Sequence, residues 1–539
     1  MSAALVLTNG RIVTFDPGCP QVTAVAVQNG RILAIGDDEA MKGLLGSDGE
    51  WVDLGGRTVT PGLVDAHVHF QGFALSLQRV NLDGAKDLDE ALDRVAGHLR
   101  QAGSPALDEW LLGRGWVQDE WPSRAFPTAA HLDRIIPDRP ACLHHKSGHA
   151  AWVNSLALKV AGIDAATADP PGGQIQRDAQ GRPTGILFED ASDLVTKHIP
   201  RPTEAALARA MQLAQEVCWR VGLTGLHDFD GRACFRALQL LRQRGKLGLR
   251  IIKNIPVARL AYATGVGLRS GFGDDWLRIG GVKIFADGAL GPRTAAMIAP
   301  YEGEASAGGN VGIVVTDKEE MMEAASEASA HGLSVTVHAI GDRANHEVLD
   351  VFEAVRAEES RRAGVALRHR IEHVQLLHPQ DLNRLAQLNI IASMQPIHAT
   401  SDMEMADNYW GERAQYSYAW RTMLDTGAAL AFGSDCPVEP IGPLLGLYAA
   451  VTRRRADGFP GPDGWRPEQK LTMTEAVRAF TMGAAYAAGQ EARQGSITPG
   501  KLADFTIFPR DIFTIPADEL LDMEIAGTIV GGRFRRRTW

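Results

Sequence analysis

From Thr203 onward the sequence repeats one pattern: a helical stretch, a glycine or asparagine, then a short apolar run. "PTEAALARAMQLAQEVCWRVG" precedes "LTGLHDF", and "DKEEMMEAASEASAHG" precedes "LSVTVHAIG". "ANHEVLDVFEAVRAEESRRAG" leads into "VALRHRIEHVQL", "HPQDLNRLAQLN" into "IIASMQP", and "YAWRTMLDTG" into "AALAFGSDCPV". Gly332 and Gly364 stand where a helix ends in the left-handed conformation. Helix–strand alternation of this kind implies a parallel sheet with helical crossovers. Eight strands are predicted, near 63–70, 223–229, 251–257, 282–287, 335–340, 370–374, 390–394 and 431–435. Eight point to an α/β fold closed as a (β/α)8 TIM-like barrel. An open doubly wound sheet is the runner-up, but no GxGxxG follows an early strand to give it a dinucleotide site.

The chain ends read differently. "LVLTNGRIVTF" and "VAVQNGRILAIG" set Asn9-Gly10 and Asn29-Gly30 between alternating apolar residues, a hairpin signature. "TIVGGRFRR", after "GSITPGKLADFTIF", puts Gly531-Gly532 in the same setting. A small β-sandwich built from both termini, 1–60 with 490–539, is therefore expected around a barrel over 61–489. About 150 residues separate the first two strands, against about 2–6 in an ordinary βα loop. Residues 71–203 are thus an insertion, expected as a cap over the barrel mouth. It holds a helix, "DLDEALDRVAGHLRQAG", and an aromatic stretch, "LLGRGWVQDEWPSRAFP".

Composition narrows the function class. A formal net charge of −10 gives no footprint for nucleic acid, and "RFRRR" at 533–537 reads as a solvated end. The 5 cysteines are scattered without a CxxC, which favours a reducing compartment over a disulfide framework. No apolar stretch reaches the roughly 20 residues of a membrane span, and the N-terminus lacks the basic start of a signal peptide. A soluble cytoplasmic protein is expected, with a homodimer as the candidate assembly.

The chemistry lies at the strand ends. In "PGLVDAHVHF", His67 and His69 are two apart and so share one face of a strand. "GGVKIFADG" carries Lys283, "SVTVHAIGD" His338, "RHRIEHVQ" His373 and "LAFGSDCP" Asp435. Taken singly, each has a structural reading: a strand-end histidine more often serves a hydrogen bond, a strand lysine can snorkel to the surface, and Asp435 can cap a turn. Active sites of TIM barrels form at the C-terminal strand ends, where all six would meet. Left unpaired there, they would cost several kcal/mol of desolvation. Imidazole and carboxylate together suit Zn²⁺ and similar ions, so the set points to a metal.

In order and identity these residues resemble those of the amidohydrolase superfamily. "SGHAAWVNS", "KIFADGALGPRTA", "HAIGDRAN", "RIEHVQLLHP", "FGSDCPVEP" and "GSITPGKLADF" resemble its amidohydrolase-3 branch, the group like N-substituted formamide deformylase. One departure is Ser147, where that branch commonly has aspartate before "GHA". The resemblance implies two divalent metal ions, Zn²⁺ foremost. His67, His69 and Asp435 would hold one, His338 and His373 the other, and Lys283, carboxylated by CO₂, would bridge them. An ammonium cannot ligate a cation, whereas a carbamate offers two anionic oxygens. Burial near cations lowers a lysine pKa and frees the amine that CO₂ needs. A mononuclear site with Lys283 as a hydrogen-bond donor is the alternative.

The implied reaction is hydrolysis of a non-peptide C–N bond in an amide by a metal-held hydroxide. Asp435 would be the general base, and then the acid toward the leaving nitrogen. The same centre acting on an ester, lactone or phosphoester is the runner-up, and a catalytically idle regulator that binds a small molecule is the remote one. Superfamily deaminases carry a glutamate three residues after the fifth-strand histidine; here that position is Gly341. The partner is a small amide-like substrate. Its candidate contacts are Trp116, Gln118, Trp121 and His149 in the insertion, and Asp287, Arg293 and His398 near the mouth.

Overall fold

The computed structural model describes residues 2–101, 110–147, 149–303, 309–362 and 366–539. Gly364, Gly148 of "SGHA" and the last residues of the helix expected to end at Gly103 lie outside them. The chain divides into two compact units: Met1–Phe73 with Met211–Trp539, and Ala74–Ala210.

The first unit contains an eight-stranded parallel sheet in sequential order. Its strands are β1 (Leu63–Val68), β2 (Leu223–Asp228), β3 (Arg250–Pro256), β4 (Leu277–Phe285), β5 (Val335–Ala339), β6 (Arg370–His373), β7 (Ile391–Met394) and β8 (Leu430–Phe432). All eight predicted strands are present. β1 and β8 meet just past their C-terminal ends, where Val68 pairs in parallel with Cys436. Asp435 N–H donates to His67 O (2.7 Å), and His69 N–H donates to Cys436 O (2.8 Å). The barrel is therefore stitched shut at the two strands that carry His67, His69 and Asp435. The helices expected before β2, β5 and β6 are α1 (Glu204–Arg220), α3 (Lys318–Ala330) and α4 (Asp342–Glu359). Those expected before β7 and β8 are short, Arg384–Gln387 and Trp420–Asp425, and α2 (Arg232–Gln243), α5 (Pro396–Trp410) and α6 (Pro443–Thr452) lie outside the expected set. Gly332 has a φ of 78° just past α3, the left-handed stop its position requires.

Both termini build the extra β-structure. A six-stranded sheet runs Arg533–Arg537, Gly527–Val530, Phe505–Phe508, Thr58–Pro61, Arg11–Val13, Gln21–Val22. A four-stranded sheet runs Arg31–Gly36, Ala24–Gln28, Ala3–Thr8, Leu45–Asp53. Leu5, Ile12, Val25, Val52, Phe505, Ile507 and Ile529 share one apolar core. Asn29-Gly30 and Gly531-Gly532 close tight hairpins with all four φ values positive. Asn9-Gly10 does not. Asn9 alone has positive φ (53°), and a type I′ turn needs it at both central positions. The Asn9 amide side chain instead bonds Asp53 (2.8 Å), and the chain crosses from one sheet to the other. Thr58–Pro61 runs straight into β1, and the buried Arg250–Asp504 ion pair (2.9 Å) fastens β3 to the same layer.

The Ala74–Ala210 unit has its own six-stranded sheet and an aromatic core around Trp116, Trp121 and Trp152. Among the described residues, no helix is long and apolar enough to cross a membrane.

Candidate metal centre

The C-terminal ends of β1, β4, β5, β6 and β8 bring six predicted residues to one place. His67, Lys283, His373 and Asp435 are buried. The His67 and His373 rings lie 4.9 Å apart by centroid, and those of His338 and His373 4.6 Å. Nε2 of His67 and Nε2 of His69 each lie 3.5 Å from Asp435 Oδ1. His67, His373 and Asp435 each offer a ligand atom within 4.8 Å of the other two. Asp435 and His373 both adopt positive φ (60° and 75°), a cost borne where the backbone must turn a side chain into a site.

Each imidazole is fixed through one ring nitrogen, which leaves the other for a ligand. His67 Nδ1 donates to Glu372 Oε2 (2.6 Å), and His69 Nδ1 to Asp230 Oδ1 (3.2 Å). His373 Nδ1 donates to Gln395 Oε1 (2.8 Å), and His338 Nε2 to the Gly288 carbonyl (2.8 Å). Glu372 and Asp230 escape sequence reasoning, although each sits in a telling phrase, "RIEH" and "HDFD". A charged residue inside a buried strand implies a buried partner. Glu372 is paired with Arg370, whose guanidinium also donates to Ser393 Oγ (2.6 Å), Ala66 O (2.6 Å) and His227 Nδ1 (2.9 Å). Asp230 accepts from Gln71 N–H (2.6 Å), and its own carbonyl accepts from Lys253 Nζ. Asp228, Asp230 and Cys234 form a second cluster of ligand types, but Lys253 neutralises Asp228 at 2.7 Å and Asp230 is taken by His69.

Electrostatics favour a cation here. Burial pulls His338 down to about 3 and holds His67 and His373 well below the usual imidazole range, so all three are neutral donors. Burial also lowers Lys283 to about 8 and pushes Asp435 up to about 6. His69 is opposed by burial but raised by its bond to Asp230. Lys283 Nζ and Asp435 Oδ1 are buried with no hydrogen-bond partner among the described residues. Nζ stands 4.8 Å from the ring centroids of both Phe229 and Phe285. Neutral imidazoles, an unpaired carboxylate oxygen and an unpaired amine make a donor set that fits divalent metal.

The candidate substrate contacts separate. His398 faces Asp435, with Nε2 3.8 Å from Oδ2, and burial lowers it to about 4. Asp287 is buried and accepts from the backbone N–H of Ile340 (3.0 Å), Gly341 (2.8 Å) and Ala296 (2.9 Å), which ties down the loops beside His338. The Arg293 guanidinium lies 5.5 Å from the Tyr409 ring. Within the Ala74–Ala210 unit, Trp116 donates to Leu143 O (2.8 Å) and Trp121 to Ala85 O (3.0 Å), both buried. Gln118 is buried, and its Oε1 has no partner among the described residues. His149 is exposed and pairs with Glu189 (2.9 Å). Ser147 Oγ bonds His145 Nδ1 (2.7 Å).

A model described as "Amidohydrolase family" matches residues 50–535. Protein LONG AFTER FAR-RED 3 of Arabidopsis thaliana is 36% identical over 545 residues, covering 98% of this chain and 91% of its own. N-substituted formamide deformylase of Arthrobacter pascens is 30% identical over 549 residues, covering 98% of each. The crystal structure of an uncharacterized metal-dependent hydrolase from Pyrococcus horikoshii OT3 is 29% identical, with a TM-score of 0.78 over 95% of this chain and 99% of that one.

Proposed function

This chain belongs to the amidohydrolase family of metal-dependent hydrolases, and from that premise we propose that it hydrolyses a non-peptide carbon–nitrogen bond of an amide at a two-metal centre. The observation that carries the reading is the buried, unpartnered Lys283 amine among the histidines and Asp435. A lysine whose pKa falls to about 8 keeps a usable fraction of free amine near neutral pH, which carbamate formation consumes. The N-substituted formamide deformylase supports an N-substituted amide as substrate, since its likeness spans nearly the whole chain.

In this reading His67, His69 and Asp435 would hold one ion, His338 and His373 the second, and Lys283, once carboxylated, would supply a ligand to both. Zn²⁺ is the proposed metal, because imidazole and carboxylate suit it. When bound, such an ion polarises a carbonyl oxygen and makes water acidic enough to be deprotonated near neutral pH. Glu372 and Asp230 keep the His67 and His69 rings in one orientation and one tautomer. Asp435 receives the proton of the attacking water at its carboxylate and delivers it to the leaving nitrogen, so that the amine departs neutral.

The test is a screen of purified protein, stripped with a chelator and reloaded with Zn²⁺ or Mn²⁺, against N-formyl and N-acyl amines, esters and lactones. Amide cleavage only after reloading is the expected result. Cleavage of esters or lactones alone would replace the amide reading, and no hydrolysis by metal-loaded protein would end it. Native mass spectrometry should find one CO₂ on Lys283; an unmodified amine in active protein would remove the bridge.

A further inference from the structure

Two buried polar atoms, His398 Nε2 beside Asp435 and Gln375 Oε1, have no hydrogen-bond partner among the described residues and are not among the proposed metal ligands. His398 lies in the first turn of α5, which begins two residues after β7, and is 7% exposed. Gln375 follows His373 by two residues and is 4% exposed. The His398 ring runs nearly parallel to that of His373, 6.0 Å away at 19°. Buried polar groups are nearly always satisfied, and each exception costs about 1–3 kcal/mol. The His398 exception, 3.8 Å from the Asp435 carboxylate at the candidate centre, calls for an occupant.

The surroundings favour one position for the His398 proton. Nε2 faces the Asp435 carboxylate, which favours N–H on that side. Nδ1 is then bare, and the Gln375 amide meets it at 3.4 Å with Nε2 as donor. An amide turned that way leaves its oxygen unsatisfied, as is seen. At 3.8 Å the Nε2–H is too far from Asp435 Oδ2 to be spent on it, so a donor stands free beside the general base.

We propose that His398 is a catalytic residue whose Nε2–H donates a hydrogen bond to the acyl oxygen of the substrate, and that Gln375 is the positioning residue that holds this donor tautomer. The inference rests on the amide-hydrolase reading above. Negative charge grows on the acyl oxygen as the carbonyl carbon becomes tetrahedral, so a fixed donor there acts more strongly in the transition state than on bound substrate. One such donor contributes about 10²–10³ in kcat. No proton changes hands at His398.

The experiment compares zinc-loaded wild type with His398→Ala, His398→Gln and Gln375→Glu, using p-nitroformanilide as substrate. His398→Ala should lose about 10²–10³ in kcat while KM moves less than about threefold. Its zinc content should be unchanged. His398→Gln, which keeps an N–H donor, should recover at least about tenfold of that loss. Independently of turnover, long-range ¹H–¹⁵N spectra of histidine-labelled holoenzyme should show an Nε2–H tautomer for the signal that vanishes in His398→Gln. Gln375→Glu should move that proton to Nδ1 and lower kcat. The proposal is overturned if His398→Ala keeps kcat, if it loses zinc, if His398→Gln rescues nothing, or if the wild-type tautomer is Nδ1–H. If wild type cleaves no amide, the amide reading fails separately, and the tautomer still decides between the two nitrogens.

Discussion

Glu372 Oε2 lies 2.6 Å from His67 Nδ1, with both side chains sealed from solvent. The carboxylate is locked in turn by Arg370, so the tautomer of an imidazole proposed to bind metal is set by a buried ion pair inside β6. Glu372→Gln keeps the shape and removes the charge. It should weaken zinc affinity about 10–100-fold, measured by competition with a chromophoric chelator. Unchanged affinity would cut Glu372 out of the site.

Asp435 has positive φ (60°) and an unpartnered Oδ1, so Asn fits its backbone and its space. Asp435→Asn should preserve the circular dichroism spectrum yet lower turnover by about 10²–10⁴. Turnover near that of wild type would remove its role as base.

Gly433 lies where β8 passes β1. A Cβ there would come within 2.5 Å of both His67 N and Asp65 Oδ1, neither of which can swing aside freely. Gly433→Ala should destabilise the protein by about 1–3 kcal/mol and reduce zinc binding with it. Chemical denaturation with and without zinc measures both; an unaltered midpoint would show that the strands can part.

Acid stability should depend on Glu359, far from the centre. Burial alone would raise its carboxyl, but bonds from His369, Ser329 and Arg356 outweigh this and lower it from 4.5 to about 2. A depressed carboxylate pKa stabilises the fold above the unfolded value of 4.5, and the gain disappears as pH falls through about 2. The full contribution is about 3 kcal/mol, of which about 2 should be gone at pH 3. Urea titrations of wild type and Glu359→Gln at pH 6 and pH 3 should show their difference shrinking by about that amount. A constant difference would refute the linkage.

Strands β2, β5, β7 and β8 were legible because each is announced by a helical stretch and then a left-handed residue, Gly222, Gly332, Asn389 and Gly427. His67, His69, His338, His373 and Asp435 were legible because strand ends define one rim of a barrel. Glu372 and Asp230 were not, because their job depends on which histidine lies across the barrel, and that is a matter of three-dimensional register. Asn9-Gly10 misled for a related reason. The dipeptide reports a local preference for a turn, but Asp38 and Asp53 claimed its polar groups and sent the chain into another sheet. Trp116 and Trp121 were ambiguous as aromatics in an insertion, and their indole N–H groups are satisfied by backbone within their own unit.

The stitch between β1 and β8 also sets when this protein acquires its chemistry. His67 is made early in synthesis and Asp435 late, and the backbone bonds that bring them together are the ones that close the barrel. A chain that stalls before residue 435, or collapses with the ring open, presents isolated histidines rather than the full donor set. Uptake of the proposed metal would then be a certificate of a finished barrel, since an unfinished chain would offer only part of the donor set.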